Sequence, residues 1–459
     1  MTEMPALAES IAGGQDTIVA VATPPGRGAI SVVRMSGRDA FRIAGQVVVP
    51  WPLESRRSTL CRILDREKSH VLDQALVTVF TAPETFTGED LVEISGHGGH
   101  YVPAVVMAAL VSCGARQALP GEFTRRAVLN GKLDIVQAEA IGDLVDARSE
   151  AMHRTAVRQL DGGLSRRIDA LRNNLISLES LIAYDIDFPE EDDGPISRER
   201  VTAEVEILLI SLDALLVTVP VGEMIREGAV AVIAGQPNVG KSSLFNALLG
   251  QSRAIVTEIP GTTRDAIESY LETSNWPVRL VDTAGLQDTA DTVERIGIEV
   301  SERYLGWADI VLACGDTRES LSATVAALGE MTNAATIRVR TKSDLDDGLP
   351  VFEAEVSVSA ETGEGLSALL SLVDDTLSTK VGKGVADMPI LTRNRHIHGI
   401  RQARSEIAAF GEAWKEAILP APVAAVHLRS AAIALESLIG AVSTEDVLDR
   451  VFSSFCVGK

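Results

Sequence analysis

Residues 229–248 read AVAVIAGQPNVGKSSLFNAL and decide the fold of the central part of the chain. The apolar run at its start predicts a buried strand, and SSLFNAL predicts a helix. Between them, Gly235 to Ser242 has the G-x-x-x-x-G-K-S spacing of a P-loop. Its glycines let backbone N–H groups point at phosphates, while Lys241 supplies a positive charge and Ser242 a hydroxyl for Mg²⁺. We therefore expect an α/β domain that binds a nucleotide.

Further motifs follow the P-loop in the order that a nucleotide site requires. Gly261, Thr262 and Thr263 lie in a loop where Thr263 can reach Mg²⁺ and the γ-phosphate. In VRLVDTAGL, residues 278–286, a strand brings Asp282 to the Mg²⁺ and Gly285 to the γ-phosphate. Chance does not explain such a series.

The segment TIRVRTKSD, residues 336–344, predicts that the base is guanine. The carboxylate of Asp344 can accept from both N1–H and the exocyclic amine of guanine, whereas adenine offers no such pair of donors. Thr341 stands where the N-K-x-D motif has Asn, and its hydroxyl keeps only one hydrogen bond of that amide, so we expect weaker guanine affinity. Ser359 and Ala360 back the base, with Glu361 where the S-A-K loop has Lys.

The sequence on either side of this domain has a different pattern. TIVAVA, AISVVRM, ALVTVF and LVEIS predict strands and VPAVVMAALVSCG predicts a helix, so residues 1–132 should form an α+β domain. Apolar residues recur at helical spacing in residues 133–224 and 383–459. We expect a multidomain α/β and all-α chain, in which a P-loop GTPase domain with a central, mostly parallel sheet, residues 225–382, is inserted into a helical domain.

Composition limits the possible classes of protein. The 459 residues carry a formal net charge of −22, which argues against a broad phosphate-gripping surface, so an RNA role needs a local patch or a basic partner. The four cysteines contain no C-x-x-C pair and are expected to be reduced. We see no uninterrupted apolar run of about 18 residues and no leader pattern in MTEMPALAESIAGGQD, and therefore expect a cytoplasmic protein that does not span a membrane.

Four stretches carry a resemblance that covers nearly the whole chain. After D-T-A-G comes Leu286, where Ras-like enzymes place the Gln that orients water, so another catalytic device is required. The stretches are PNVGKS at 237–242, IVTEIPGTTRD at 255–265, VERIGIE at 293–299 and the terminal FCVGK. With these stretches the chain resembles the MnmE (TrmE) family of tRNA-modification GTPases.

The resemblance implies a GTPase that is stimulated by K⁺ and activated when two G domains dimerise. It places K⁺ on Asn238, Thr257, Ile259 and Thr262, and Mg²⁺ on Ser242 and Thr263. Glu294 matches the acid that orients water, while Arg264 and Arg295 remain rival stabilisers of charge. The implied GTP-binding residues are Asn238, Val239, Gly240, Lys241, Ser242, Ser243, Thr257, Glu258, Ile259, Pro260, Gly261, Thr262, Thr263, Asp282, Thr283, Ala284, Gly285, Thr341, Lys342, Asp344, Ser359 and Ala360.

The resemblance also implies a substrate and partners. The N-terminal domain should resemble a folate-binding unit that holds a 5-formyl or methylene tetrahydrofolate at Arg34, Glu93, Lys132 and Lys459. The family forms a homodimer and acts with the flavoprotein MnmG (GidA), which carries the FAD, in a heterotetrameric complex. Together they add a carboxymethylaminomethyl group to C5 of the wobble uridine of certain tRNAs.

Two alternatives stay open at this point. Cys456 can be a redox residue or nucleophile, or a thiol that packs beside Phe452 and Phe455. The whole chain can instead be a regulatory GTPase switch in ribosome assembly or stress signalling. The folate-like N-terminal domain and the FCVGK end favour the modification enzyme, because a recruitment switch needs neither.

Overall fold

A computed structural model gives the fold. It describes residues 16–67, 69–187, 197–251, 267–282, 304–345, 354–382, 388–416, 421–440, 448, 451–452, 455 and 457–458. Contacts divide the chain into two compact units, Met1–Gly142 with Ile439–Lys459, and Asp143–Leu438. The domain boundaries at 132, 224 and 382 stay predictions.

The first unit contains a seven-stranded sheet with the order β3-β4-β5-β6-β2-β1-β7. The strands are β1 (Ile18–Val21), β2 (Ile30–Ser36), β3 (Val48–Val49), β4 (Thr59–Leu64), β5 (Val71–Phe80), β6 (Leu91–His97) and β7 (Arg116–Gln117). The helices are α1 (Ala40–Val47), α2 (Tyr101–Ser112), α3 (Glu122–Leu129) and α4 (Ile135–Asp146). This arrangement confirms the expected α+β character of the N-terminal part.

One face of this sheet forms the core of the unit. Alternate residues such as Val33, Ile63, Val77 and Ile94 are buried together with apolar residues of α1 and α2. Period-two alternation is what places them on one face. The prediction from TIVAVA, AISVVRM and LVEIS is confirmed by β1, β2 and β6, whereas β4 was missed.

The C-terminal residues of the chain pack in this first unit. Val457 forms a bridge with Pro120. A side chain at Gly121, which has φ 66°, would meet the backbone oxygen of Phe452 at 2.9 Å. Gly458 lies against the backbone of Val21, where an added Cβ would come within 2.6 Å of the carbonyl oxygen. The end of the chain therefore lies beside β1.

The second unit contains a six-stranded sheet with the order β13-β12-β11-β8-β10-β9. All neighbours are parallel except β9 and β10. The strands are β8 (Ala229–Gly235), β9 (Ile267–Glu272), β10 (Pro277–Asp282), β11 (Ile310–Gly315), β12 (Ala335–Arg340) and β13 (Val356–Ser357). β8 and β11 lie in the middle, which explains why both are apolar over their whole length.

Helices account for the rest of the second unit. They are α5 (Glu150–Leu160), α6 (Gly163–Asp187), α7 (Arg198–Leu216), α8 (Val219–Glu227), α9 (Lys241–Gln251), α10 (Arg318–Met331), α11 (Leu366–Val381), α12 (Asn394–Glu416) and α13 (Ala421–Ile439). Ion pairs join α6 to α13 through Arg172 and Glu436, at 2.8 Å, and α7 to α12 through Asp213 and Arg404. The expected combination of a helical part with a parallel α/β part is confirmed.

Two chain crossings join the helical part to the sheet, and they contact each other. The chain enters β8 through α8 and returns through residues 388–393. The hydroxyl of Thr218, just before α8, accepts from the backbone N–H of Leu391 at 3.1 Å. Gln159 donates to the carbonyl of Ile390 at 3.0 Å. A Cβ at Gly222 would lie 1.9 Å from the carbonyl oxygen of Leu391, so only glycine permits this approach.

One described helical stretch, Arg198–Glu227, is long and apolar enough to cross a bilayer on length and composition alone. We did not expect it from the sequence, because we looked only for an uninterrupted apolar run. Such a stretch is weak evidence for a span, because core helices also pass this test, and 44% of its most apolar window is buried. Val205, Leu208 and Leu212 lie on the buried side of α7. The described residues therefore contain no clear membrane span.

Candidate nucleotide-binding site

The P-loop lies between the end of β8 and the start of α9. Asn238 has φ 65° and Gly240 has φ 93°, so the loop turns sharply through two left-handed residues. A Cβ at Gly235 would lie 2.6 Å from the carbonyl oxygen of Cys314, so β11 approaches the loop as closely as a glycine allows. The predicted strand, glycine loop and helix are all present.

Lys241 and Asp282 form the charged floor of the phosphate side. Lys241 is only 6% exposed, and its ammonium donates to the carbonyls of Gly235, at 3.0 Å, and Gln236, at 2.9 Å. Burial holds the pKa of Lys241 below its ordinary value, against the opposing charge of Asp282. Asp282 ends β10, which neighbours β8, so the sheet itself places the carboxylate beside the loop.

The donors at this end of the sheet suit Mg²⁺. Ser242 follows Lys241 in the first turn of α9, and Asp282 is buried nearby. Hydroxyl and carboxylate oxygens are the ligands that Mg²⁺ prefers, together with waters and phosphates of a substrate. No group of three or more His, Cys, Asp or Glu side chains gathers anywhere among the described residues, so a dedicated protein cage is absent from them.

The base-reading loop is joined to the P-loop by Thr341. Its backbone N–H donates to the carbonyl of Gly315 at 3.0 Å, and its hydroxyl donates to the carbonyl of Val239 at 2.5 Å. Thr341 is buried, so this hydroxyl satisfies a carbonyl that water does not reach. Threonine therefore makes one brace to the P-loop at the position where the motif has asparagine.

A second link to the P-loop comes from Lys342. Its ammonium donates to the carbonyl of Asn238 at 2.7 Å and to the carboxylate of Asp316 at 2.9 Å. Next in sequence, the backbone N–H of Ser343 donates to the carbonyl of Val358 at 3.1 Å, which ties this loop to the Ser359–Ala360 loop. Three separate loops are thereby held at one edge of the sheet.

These loops enclose a cavity of about 430 Å³. Its lining residues are Gly240, Ser243, Leu244, Asn246, Ala247, Thr341, Lys342, Asp344, Val358, Ala360 and Glu361. Asp344 supplies the carboxylate that sequence reasoning assigned to the guanine edge. The structure thus gathers the described members of the predicted GTP set at one cavity and the P-loop beside it.

Several predicted site residues lie outside the described residues. They are Thr257, Glu258, Ile259, Pro260, Gly261, Thr262, Thr263, Thr283, Ala284, Gly285, Glu294, Cys456 and Lys459, together with the rivals Arg264 and Arg295. Their proposed roles therefore stay predictions.

In the first unit, Arg34 and Glu93 face each other across β2 and β6. Nε of Arg34 donates to Oε1 of Glu93 at 2.9 Å, and Nη2 of Arg34 lies 2.8 Å from the same oxygen. The guanidinium carbon lies 5.9 Å from the ring centres of both Phe86 and Phe123. Lys132 is exposed and lies beside Gly88, where an added Cβ would meet its Cγ at 3.4 Å. Three of the predicted folate residues are thus described, two of them in direct contact.

A buried ionic network beside this pair was missed by sequence reasoning. Arg126 donates to Asp16 at 2.6 Å, to Glu122 at 3.1 Å and to Glu89 at 3.2 Å. Glu89 in turn accepts from the hydroxyl of Ser36 at 2.8 Å. Burial would raise the pKa values of Asp16 and Glu122, but hydrogen bonds from arginines, with Arg116 the strongest, outweigh it and lower both. The network fixes the loop before β6 to α3.

Comparisons with known proteins agree with this geometry. The family described as "MnmE helical domain" matches residues 135–456, and the one described as "GTP-binding protein TrmE N-terminus" matches residues 17–132. A "tRNA modification GTPase MnmE" of Moorella thermoacetica is 40% identical over 97% of this chain and 99% of its own length. Another with this name, from Thermus thermophilus, is 42% identical over 97% of this chain and 99% of its own.

A solved structure also resembles part of the chain. The G domain of the T. maritima FeoB iron transporter is 27% identical and covers 33% of this chain and 99% of its own, with a TM-score of 0.25, which is too low to support an argument. The full-length relatives and the two matched families decide the assignment. The chain belongs to the MnmE family of tRNA modification GTPases.

Proposed function

We propose that this chain hydrolyses GTP and, with the flavoprotein MnmG, adds a carboxymethylaminomethyl group to C5 of the wobble uridine of certain tRNAs. One observation carries the hydrolase part. The P-loop and the base-reading loops line one cavity, and the chain matches proteins named tRNA modification GTPase over 99% of their length. Phosphate release from GTP and from ATP by the purified chain tests it: GTP alone should be turned over, and equal rates would contradict it.

On the phosphate side, each described residue has a distinct task. Backbone N–H groups of the loop up to Gly240 and the first turn of α9 receive the phosphates. Lys241 adds a positive charge. Its ammonium donates to the carbonyls of Gly235 and Gln236 in the free chain and would donate to a phosphate oxygen instead when the nucleotide binds. Ser242 and Asp282 would hold Mg²⁺, which neutralises charge that develops on the phosphates. A low pKa at Lys241 in the free chain is then raised again by the bound anion.

On the base side, selectivity rests on Asp344. Its carboxylate accepts two hydrogen bonds from guanine, and an analogue without those donors leaves a charged group without partners in the cavity. Thr341 and Lys342 set the position of the loop that carries it. The expectation that threonine lowers guanine affinity stays part of this proposal.

We further propose that K⁺ stimulates hydrolysis, with Asn238 among its ligands and Glu294 orienting the attacking water. Asn238 has a left-handed backbone, and its carbonyl accepts from the ammonium of Lys342. This contact uses the backbone only and not the side chain, which supports a role of the side chain as a K⁺ ligand. A cation beside the phosphates would stabilise developing charge as a guanidinium does. Rates in KCl and NaCl at equal ionic strength test this, and equal rates would favour Arg264 or Arg295 instead.

A one-carbon tetrahydrofolate is the proposed ligand of the first unit. Glu93 Oε1 is occupied by Arg34, whereas Oε2 accepts no hydrogen bond from any residue that the structure describes. The free oxygen and the partly exposed ring of Phe86 suit a flat heterocycle with a donor edge. Gly458 lies beside β1, and Ala20 of this strand pairs with Arg34 of β2. This position supports a contribution of the next residue, Lys459, to folate binding. Calorimetric titration with 5-formyltetrahydrofolate tests the site, with Glu93→Gln expected to abolish binding.

A homodimer and a flavoprotein partner complete the proposal. The sheet face opposite the first unit's core exposes Ile30, Leu60 and Leu76, at 65%, 65% and 49%, and such a face favours burial against a second copy. The net charge of −22 favours a division of labour in which MnmG brings FAD and most of the basic surface for tRNA. We place the complex in the cytoplasm. Tight tRNA binding by this chain alone at physiological salt would contradict that division.

A further inference from the structure

Asp316 is the first residue after β11, at the edge of the sheet where the nucleotide cavity lies. Its Oδ2 accepts from the ammonium of Lys342 at 2.9 Å, and the same ammonium donates to the carbonyl of Asn238 at 2.7 Å. One charged group thus joins the end of β11 to the backbone of the P-loop.

Lys342, which carries this ammonium, and Asn238, which accepts from it, both have unusual backbones. Asn238 has φ 65° and Lys342 has φ 55°. Side-chain-bearing residues rarely adopt this left-handed region, and they keep it only where surrounding contacts hold them there. The hydrogen bond from Lys342 to Asn238 is such a contact, and its geometry depends on where the ammonium is held.

Asp316 is a fixed anchor for that ammonium. Its Oδ1 accepts from the hydroxyl of Ser320 at 3.2 Å, and Ser320 forms the capping box of α10 with Thr317. Burial alone would raise the pKa of Asp316, but the hydrogen bond and charge of Lys342 outweigh burial and lower it. The carboxylate is therefore ionised and its position is set by a helix end.

We propose that Asp316 is a positioning residue for the guanine nucleotide. Through Lys342 it holds the cavity wall and the P-loop backbone at Asn238 in the conformation that receives the ligand. The inference rests on the proposed GTP binding and deepens it. Lys342 contacts the backbone carbonyl of Asn238 and not the side chain that is proposed for K⁺, and Lys241 and Asp282 lie on the phosphate side. Loss of Asp316 should therefore weaken binding and leave the chemical step nearly unaltered.

The test compares Asp316→Ala and Asp316→Asn with Asp309→Ala in the full chain. Asp309 is a matched control, because it precedes the same strand at its opposite end and pairs with Lys380 at 2.8 Å. For Asp316→Ala, the Kd of a fluorescent GDP analogue and the KM for GTP should rise about tenfold, the size expected for a hydrogen bond to a charged group. The kcat at saturating GTP should stay within about twofold. Asp316→Asn keeps an acceptor oxygen and should show a smaller rise, and Asp309→Ala none.

The outcomes separate this inference from the proposed function. If the wild-type chain binds the GDP analogue and Asp316→Ala binds it equally well, the inference is overturned and the GTPase proposal stands. An equal loss of affinity in Asp309→Ala also overturns it, since the effect is then general destabilisation. If Asp316→Ala does not fold, unchanged Kd in a folded Asp316→Asn overturns it. Failure of the wild-type chain to bind guanine nucleotides overturns both.

Discussion

The hydroxyl of Thr341 donates to the backbone carbonyl of Val239 over 2.5 Å, and this bond joins the base-reading loop to the P-loop. Both groups are buried, so neither has water as an alternative partner. This hydroxyl group therefore connects recognition of the base with the conformation of the phosphate loop, as does the ammonium of Lys342.

We predict that Thr341→Val weakens nucleotide binding. Valine has nearly the same shape but leaves the Val239 carbonyl without a donor, which costs about 1–3 kcal/mol, or roughly tenfold or more in Kd. Titration with a fluorescent GDP analogue measures this change. Thr341→Asn serves as the comparison and should bind at least as tightly as the wild type. Unaltered affinity in Thr341→Val would show that the brace has no role in binding.

Asp344→Asn should change the preferred base from guanine towards xanthine, because the amide donates where the carboxylate accepted. We expect kcat/KM for GTP to fall by about 10²-fold or more, while that for xanthosine triphosphate rises. Asp375→Asn is a suitable control, since it makes the same charge change at an exposed position of α11. Retained GTP selectivity in Asp344→Asn would refute the assignment of this carboxylate.

Glu294→Ala should bind GTP normally and lose most turnover. The substitution removes the proposed water-orienting group and leaves the described P-loop contacts untouched, and such losses are typically about 10²–10⁴-fold in kcat. Single-turnover hydrolysis measured together with nucleotide affinity separates the two effects. Glu319→Ala, at an exposed position in the first turn of α10, is the control. Weaker binding with normal turnover would count against this role.

Arg126→Met should destabilise the first unit, and the loss should shrink as the pH falls. At neutral pH the substitution removes the cation that Asp16, Glu89 and Glu122 share. Arg116 still pairs with Asp16 and Glu122, so the cost should be at most about 3–5 kcal/mol, the cost of breaking a buried ion pair. Against the effect of burial, Arg116 lowers the folded-state pKa values of Asp16 and Glu122 most, and Arg126 lowers both further. The part of their stabilising contribution that Arg126 supplies is therefore complete above the ordinary carboxyl values and is lost as pH falls through the folded values.

Denaturant unfolding of the wild type and Arg126→Met between pH 7 and about pH 3.5 checks this prediction. The difference between the two should be largest at neutral pH and should narrow below about pH 4.5, where the unfolded carboxyls protonate. Arg42→Met, which removes an exposed ion pair with Asp39, should change the free energy of unfolding by less than about 1 kcal/mol. A difference that does not vary with pH would mean that the network contributes packing and not charge.

Strands with a continuous apolar run were easier to predict from the sequence than strands that alternate between apolar and polar residues. β8 was readable because a central parallel strand is buried on both faces and is therefore continuously apolar, whereas β11, which has the same pattern, was not predicted. β4 was missed because TLCRIL alternates and exposes Leu60 and Arg62, so it lacks a run of apolar residues. Only part of β5 was predicted, since its first four residues, VLDQ, include two polar residues and an exposed valine.

Charged residues inside the fold were the least readable. Arg126 lies in EFTRRAVL, where an arginine ordinarily faces water, and two of its three acceptors, Asp16 and Glu89, come from distant positions in the chain. Asp316 had a usable signal that was not read: it follows an apolar strand next to the P-loop strand, and carboxyl ends of neighbouring parallel strands meet at one edge. Pairings set by tertiary structure cannot be inferred from spacing along the sequence.

The central claim is that GTP hydrolysis by this chain is coupled to tRNA modification, and reconstitution measures it most directly. Unmodified tRNA is incubated with the chain, MnmG, FAD, NADH, methylene tetrahydrofolate as the source of the methylene carbon and glycine as the source of the amine and carboxymethyl group, and the wobble nucleoside is identified by mass spectrometry. The account predicts the carboxymethylaminomethyl product with GTP, and its loss with a non-hydrolysable GTP analogue or with Glu294→Ala. Equal product with the analogue, or modification without this chain, would contradict the account.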